Sequence, residues 1–126
     1  MEIRPPSMDD SGRTKYAVLF RVYGGPGSQM VHTRWERDWH HYLACSLKYI
    51  IVVVDGRGTG FKGRKLRNPI RGNLGQHEVL DQINAAKHWA AKRYVDSRKI
   101  GIWGWVSLLL VDCYAPLTAS SHTAAL

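Results

Sequence analysis

Six residues in the middle of the chain, Ile50-Ile51-Val52-Val53-Val54-Asp55, restrict the architecture more than any other stretch. The β-branched run shows no alternation with polar residues, so the strand it forms has no wet face. Such strands occur where a parallel sheet is covered on both sides. Helices must supply the covers. One is predicted from Gln76 to Tyr94, where Val79, Ile83, Ala86 and Ala90 recur at helical spacing with Leu80 and Trp89 beside them. Glu78 and Asp81 near its start and Lys92 and Arg93 at its end suit the helix dipole. A second helix is read between Val31 and Lys48, with Trp35, Trp39, Tyr42 and Leu43 as its buried face. Tyr16 to Tyr23 and Ile100 to Trp105 read as further strands, and Val95 to Lys99 as a polar connection into the last one. This alternation of strand and helix implies an α/β fold with parallel strands and right-handed crossovers.

At 126 residues the chain has room for one core. Residues 1–15, with Pro5-Pro6, Asp9-Asp10 and Gly12, read as an exposed lead-in, and residues 16–105 as the ordered body. The tail 106–126 has no Lys or Arg and only Asp112, so a formal charge of +8 for the whole chain becomes +9 over residues 1–105. The tail is expected to be disordered. A basic field attracts polyanions whatever the fold, so a small nucleic-acid-binding module is the alternative function. Lys62, Arg64, Lys65, Arg67 and Arg71 form the densest basic cluster, but Phe61 is the only aromatic among them, whereas single-strand platforms interleave several. A solvated or internally paired loop is the favoured reading. The longest apolar run, Ile50 to Val54, is too short to span a bilayer, and Met1 to Pro6 has no signal-like apolar segment. The chain as written is therefore expected to be cytoplasmic by default.

No cofactor or metal is expected. Gly58-Thr59-Gly60-Phe61-Lys62-Gly63 matches a dinucleotide fingerprint literally, with Glu78 at a suitable distance, but Asn68-Pro69 interrupts the helix that should follow. Gly63 is followed by Arg64, so a phosphate loop fails too. His32, His40 and His41 lack an acidic partner at a useful helical offset. Cys45 and Cys113 fit neither a metal spacing nor a disulfide framework.

Ile100-Gly101-Ile102-Trp103-Gly104-Trp105 is a strand running into a glycine turn, as at the start of a nucleophile elbow. The serine should come next, and neither register of Gly-x-Ser-x-Gly supplies it. With Gly104 as the first glycine, Val106 holds the nucleophile position and Leu108 the second glycine. Sliding to Ser107 puts Trp105 and Leu109 where the glycines belong.

Three blocks in order, Val22-Tyr23-Gly24-Gly25-Pro26-Gly27-Ser28-Gln29, Asp55-Gly56-Arg57-Gly58-Thr59-Gly60 and Ile102-Trp103-Gly104-Trp105, resemble the dipeptidyl peptidase IV group of the prolyl oligopeptidase-type serine peptidases, in particular its fungal members. The resemblance runs from about Pro5 to Trp105. It implies the central, incomplete part of an α/β-hydrolase sheet, from enzymes that release N-terminal Xaa-Pro dipeptides from peptide substrates. Tyr23 would then be the tyrosine whose hydroxyl helps form the oxyanion hole, and Gly104 and Trp105 the remnant of the elbow. The strands would be the third, fourth and fifth of that sheet, which lie side by side and bring the Gly24-Gly25 loop next to the elbow. The family's nucleophile, Asp and His have no counterpart here, nor has the β-propeller that holds the substrate amine, so this chain is expected to be inactive. Full-length members are often homodimers and are secreted or membrane-anchored, at the vacuole or cell surface.

The tail resembles nothing in that family. Val106-Ser107 can be encoded as a splice donor and Leu117-Thr118 as a fungal branch site, which suggests intron read-through, with a frameshift as the competing origin.

Overall fold

The computed structural model describes residues 1–105. Its elements are β1 (Glu2–Ile3), β2 (Tyr16–Tyr23), α1 (Trp39–Cys45), β3 (Ile50–Val53), α2 (Arg64–Arg67), a 3-10 turn (Asn68–Ile70), α3 (Gln76–Ala90) and β4 (Val95–Trp105). The disorder expected of the tail, and the occupancy of the nucleophile position by Val106, lie outside the described residues.

The sheet has the order β1-β3-β2-β4. The central strand β2 is parallel to both neighbours, with Val18 opposite Ile50 on one side and Ile100 on the other. Every residue of β3 is buried, as its lack of polar alternation requires. Ile50 and Val52 face one core with Val18, Phe20, Val22 and Val95, which α3 covers through Ala85, Ala86 and Trp89. Phe20 meets the Trp89 ring edge-on at 5.9 Å. Ile51 points the other way, to Leu19 and Ala44 beneath α1. The period of two along β3 thus feeds two separate cores, one per helical layer.

Three expectations need correction. The helix read over Val31 to Lys48 is only Trp39–Cys45, because Asp38 is extended (φ −136°, ψ −172°) and caps it, its carboxylate accepting from the His40 N–H at 3.0 Å. The expected aromatic face is also wrong: Trp35 and Tyr42 are exposed, whereas His40 and Ala44 are buried. Val95 to Lys99 is the first half of β4 rather than a connection, with Val95 paired to Tyr16 and an irregularity in register before Val18. Ser97, Arg98 and Lys99 stay exposed there. β4 is an edge strand among the described residues, so its side chains need not be apolar on both faces.

The first fifteen residues, expected as an exposed lead-in, also supply a strand. Glu2 and Ile3 pair antiparallel with Val52 and Ile51, and the Met1 ammonium donates to the Val53 carbonyl at 2.8 Å. This closes the edge of β3. Met8 packs against the α3-side core, and the Asp9 N–H donates to the Tyr16 hydroxyl at 3.0 Å.

Candidate functional site at the ends of β2 and β4

Parallel strands carry their chemistry at their C-terminal ends, where loops leave the sheet on one side. Here β2 ends at Tyr23 and β4 at Trp105, and these two residues are register partners. The loop after β2 and the strand end expected to be an elbow remnant are therefore neighbours across one pair of hydrogen-bonded strands. Gly104 lies opposite Val22, and a Cβ on it would overlap the Val22 carbonyl oxygen. Only glycine permits this approach. The part expected of Trp105 beside a nucleophile concerns a side chain outside the described residues.

The half-buried Tyr23 ring lies against its own loop. A Cβ on Gly25 would stand 2.8 Å from the Tyr23 hydroxyl oxygen and 3.0 Å from Cε1 and Cζ, so the glycine leaves room for the phenol. The Ser28 N–H donates to the Gly25 carbonyl at 3.0 Å and closes a turn over Pro26-Gly27. That turn is bound to the loop after β3: Gly27 N–H donates to the Gly58 carbonyl, and Gly60 N–H to the Ser28 carbonyl, both at 2.8 Å. A Cβ on Gly60 would overlap the Gly27 carbonyl oxygen. Gly58 and Gly60 of the apparent dinucleotide fingerprint thus serve contact between two loops, while Gly63 precedes α2. Glu78, the acidic residue of that reading, is buried and accepts from the Gly75 N–H at 3.0 Å as a helix cap.

Asp55 holds the first loop from below. Its side chain is 2% exposed, accepts the Met30 and Val31 N–H groups at 3.0 Å each, and pairs with Lys62 at 3.0 Å. Arg57 fixes the second loop to α3: its Nε and an Nη donate to the Asp81 carboxylate, the latter at 2.6 Å, and its backbone N–H donates to Asp81 Oδ2 at 2.7 Å. Asp81 was expected to serve the helix dipole, and its main partner is instead this arginine. Sequence patterns cannot reveal these two clips, because their partners are 24 or 25 residues apart. The Asp55-Gly56-Arg57-Gly58 block was the one available signal.

His32, His40 and His41 each meet a carboxylate through one ring nitrogen. Asp38, whose helix-capping position was missed, faces both His40 Nδ1 at 3.0 Å and His41 Nδ1 at 3.4 Å, and also accepts from Arg21 at 3.1 Å. His32 Nε2 is 3.3 Å from Glu36. Each of these three histidines therefore has a carboxylate neighbour that helical offsets in the sequence did not identify. The acid comes from the capping residue and from the irregular segment before it. Arg21, Tyr23, Asp38, His40, Trp103 and Gly104 border a groove of about 450 Å³ on the α1 side of the site.

Burial pushes the Asp38 and Asp81 carboxyl groups up, but hydrogen bonds outweigh it: His40 chiefly for Asp38, Arg57 chiefly for Asp81. Both end below the ordinary 3.8. A carboxylate depressed on folding stabilises the fold fully above its unfolded pKa, and that contribution is lost as pH falls through the folded value. Stability is therefore expected to hold from neutrality to about pH 5 and to fall below 3.8. Urea midpoints measured across this range check it. Asp81→Asn should flatten the acid limb, and an unchanged limb would refute the assignment.

Residues 35–106 match the profile of the prolyl oligopeptidase family. A probable dipeptidyl-aminopeptidase B of Paracoccidioides brasiliensis is 59% identical over 105 residues, which is 83% of this chain and 11% of the relative. The Phaeosphaeria nodorum counterpart is 56% identical over the same shares. Among solved structures, the Porphyromonas gingivalis dipeptidyl peptidase 4 superposes with a TM-score of 0.81 at 41% identity, covering 89% of this chain and 16% of that one. A putative dipeptidyl aminopeptidase IV from Bacteroides ovatus gives 0.82 at 32% identity, covering 92% and 17%. The chain spans about a tenth of the length of the curated relatives it matches.

Proposed function

Because the chain belongs to the prolyl oligopeptidase family, in its dipeptidyl peptidase IV-like group, we propose that it is the oxyanion-side part of a serine-type dipeptidyl peptidase site and is itself catalytically inactive. The observation that carries this reading is the pairing of Tyr23 with Trp105, which brings the tyrosine-bearing loop and the elbow strand to one place. A tetrahedral intermediate formed there would place its oxyanion within reach of the Tyr23 hydroxyl. A preorganised donor of this kind lowers an acyl-transfer barrier by roughly 3–4 kcal/mol. Gly25 lets the phenol fold over the loop, Asp55 holds that loop still, Arg57 fixes the second loop bound to it, and Gly104 sets the distance between the strands.

Inactivity rests on the sequence after Trp105. Val106 has no nucleophilic atom, and Ser107 lies outside the glycine frame that an elbow needs to expose its serine. The substrates of a whole protein built around this part would be peptides with a penultimate proline. Homodimerisation and a secreted or membrane-anchored location belong to the same proposal. The nucleic-acid-binding alternative is not favoured, since the family matched is a peptidase family.

Pure 126-residue chain should release no fluorophore from an Xaa-Pro substrate and take up no fluorophosphonate probe. Loss of a catalytic serine alone costs about 10⁶-fold in kcat in a well-studied case. Turnover above the no-enzyme rate, or covalent labelling of any serine, would overturn the proposal. Sequencing the transcript across codons 100–126 tests the read-through origin: an insert whose removal restores Ser-Tyr-Gly-Gly supports it.

A further inference from the structure

The basic cluster around α2 was expected to be solvated or internally paired, and its members are exposed with Lys62 alone paired. Lys62 reaches Asp55, whereas no ion pair among the described residues involves Arg64, Arg67 or Arg71. These three arginines instead line one groove of about 490 Å³, with Gly27, Gly58 and Asn68 among the other walls and no acidic residue in the lining. Arginines 4, 13, 21, 57 and 98 all have carboxylate partners; Arg34, Arg37 and Arg93 have none among the described residues, but none of those three lines this groove.

The backbone beneath the arginines is fixed. Arg64 and Arg67 are three apart on one helical turn and so share a face. The Arg67 N–H donates to the Gly63 carbonyl at 3.2 Å, and the Arg71 N–H to the Asn68 carbonyl at 3.1 Å. The turn is tied to the site loops as well, since the Gly58 N–H donates to the Leu66 carbonyl at 2.8 Å and the buried Ile70 packs where a Gly58 Cβ would stand. The three side chains are exposed, and guanidinium groups on the walls of one groove repel one another, so an anion with several charges relieves that repulsion. Their planar forks match the oxygens of a phosphoryl group, each able to give two parallel hydrogen bonds.

We propose that this groove binds a phosphoryl group bearing at least two negative charges, such as pyrophosphate or a phosphomonoester. The inference is independent of the peptidase reading. The group can come from a soluble phosphate compound or from a phosphorylated lipid headgroup, which share this chemistry.

Calorimetric titration of the full chain with pyrophosphate should give saturable binding that weakens with added salt. Arg64→Gln with Arg67→Gln should raise Kd by tenfold or more, on the order of one lost bidentate contact. A control pair of equal charge loss outside the groove, Arg34→Gln with Arg93→Gln, should change it less than about twofold, as expected for long-range screening alone. Far-UV circular dichroism checks the fold of each variant. If the glutamine pair unfolds, Arg64→Lys with Arg67→Lys keeps the charge, removes the fork, and must still weaken binding. Vesicles of phosphatidylcholine with phosphatidylinositol 4-phosphate, compared with phosphatidylserine vesicles of equal charge, separate the sources. Selective capture of the former supports a headgroup, and pyrophosphate binding without capture supports a soluble ligand. Absence of saturable pyrophosphate binding, or equal losses in groove and control pairs, would overturn the proposal.

Discussion

Gly104→Ala should destabilise the chain by about 3 kcal/mol or more, the upper end of what overpacking costs. The added Cβ would overlap the carbonyl oxygen of Val22, on the central strand, and neither backbone can retreat without breaking the β2–β4 ladder. Gly101→Ala is the control on the same strand. There the added Cβ would lie 3.4 Å from Leu19 Cδ1, ordinary contact with the end of a side chain, so the change should stay within about 1 kcal/mol. Urea unfolding of both variants decides the matter. Similar midpoints for the two would show that the close approach at Gly104 is not what holds the strands. Because Tyr23 follows Val22, the Gly104 variant should also perturb the tyrosine, which the NMR signal of its ring would report.

Asp55→Ala should cost about 2 kcal/mol, since a stranded buried N–H forfeits roughly 1–3 kcal/mol and a half-buried one sits at the low end of that range. Two such groups, on Met30 and Val31, lose their acceptor together, and Lys62 loses its partner. Asp55→Asn should recover only part of this loss. Its amide keeps one oxygen and turns an N–H₂ towards a second N–H donor. Lys62→Met removes only the more exposed side of the pair and should cost less than about 1 kcal/mol. Amide exchange at Met30 and Val31 should accelerate in the Asp55 variants and not in Lys62→Met. Unchanged exchange in Asp55→Ala would remove the carboxylate from its assigned part in holding the loop.

Much of the sheet was legible beforehand because its signals are local. The Tyr16–Tyr23 strand was read at its observed limits, and the unbroken run at Ile50 announced a strand buried on both faces. The long helix was read from Gln76, where it begins, and overran only at its end. Helical spacing failed for Trp35 and Trp39, since aromatic residues three or four apart carry no information about where the backbone turns extended. The strand at Glu2 was invisible for another reason. Two residues have no period, and the neighbour that makes them a strand lies some fifty residues away.

By itself the sequence determined the α/β class, the three motif blocks and that no Gly-x-Ser-x-Gly follows Trp105, because each is written in adjacent residues. Tertiary structure decided what those residues are for. It placed Tyr23 opposite Trp105, turned Gly58 and Gly60 into a contact between two loops, gave Asp81 to Arg57, and set three arginines without a carboxylate around one groove. Each of these depends on parts of the chain far apart in sequence meeting at distances of a few ångströms. Hydrogen bonding, steric exclusion and charge pairing act only at that range.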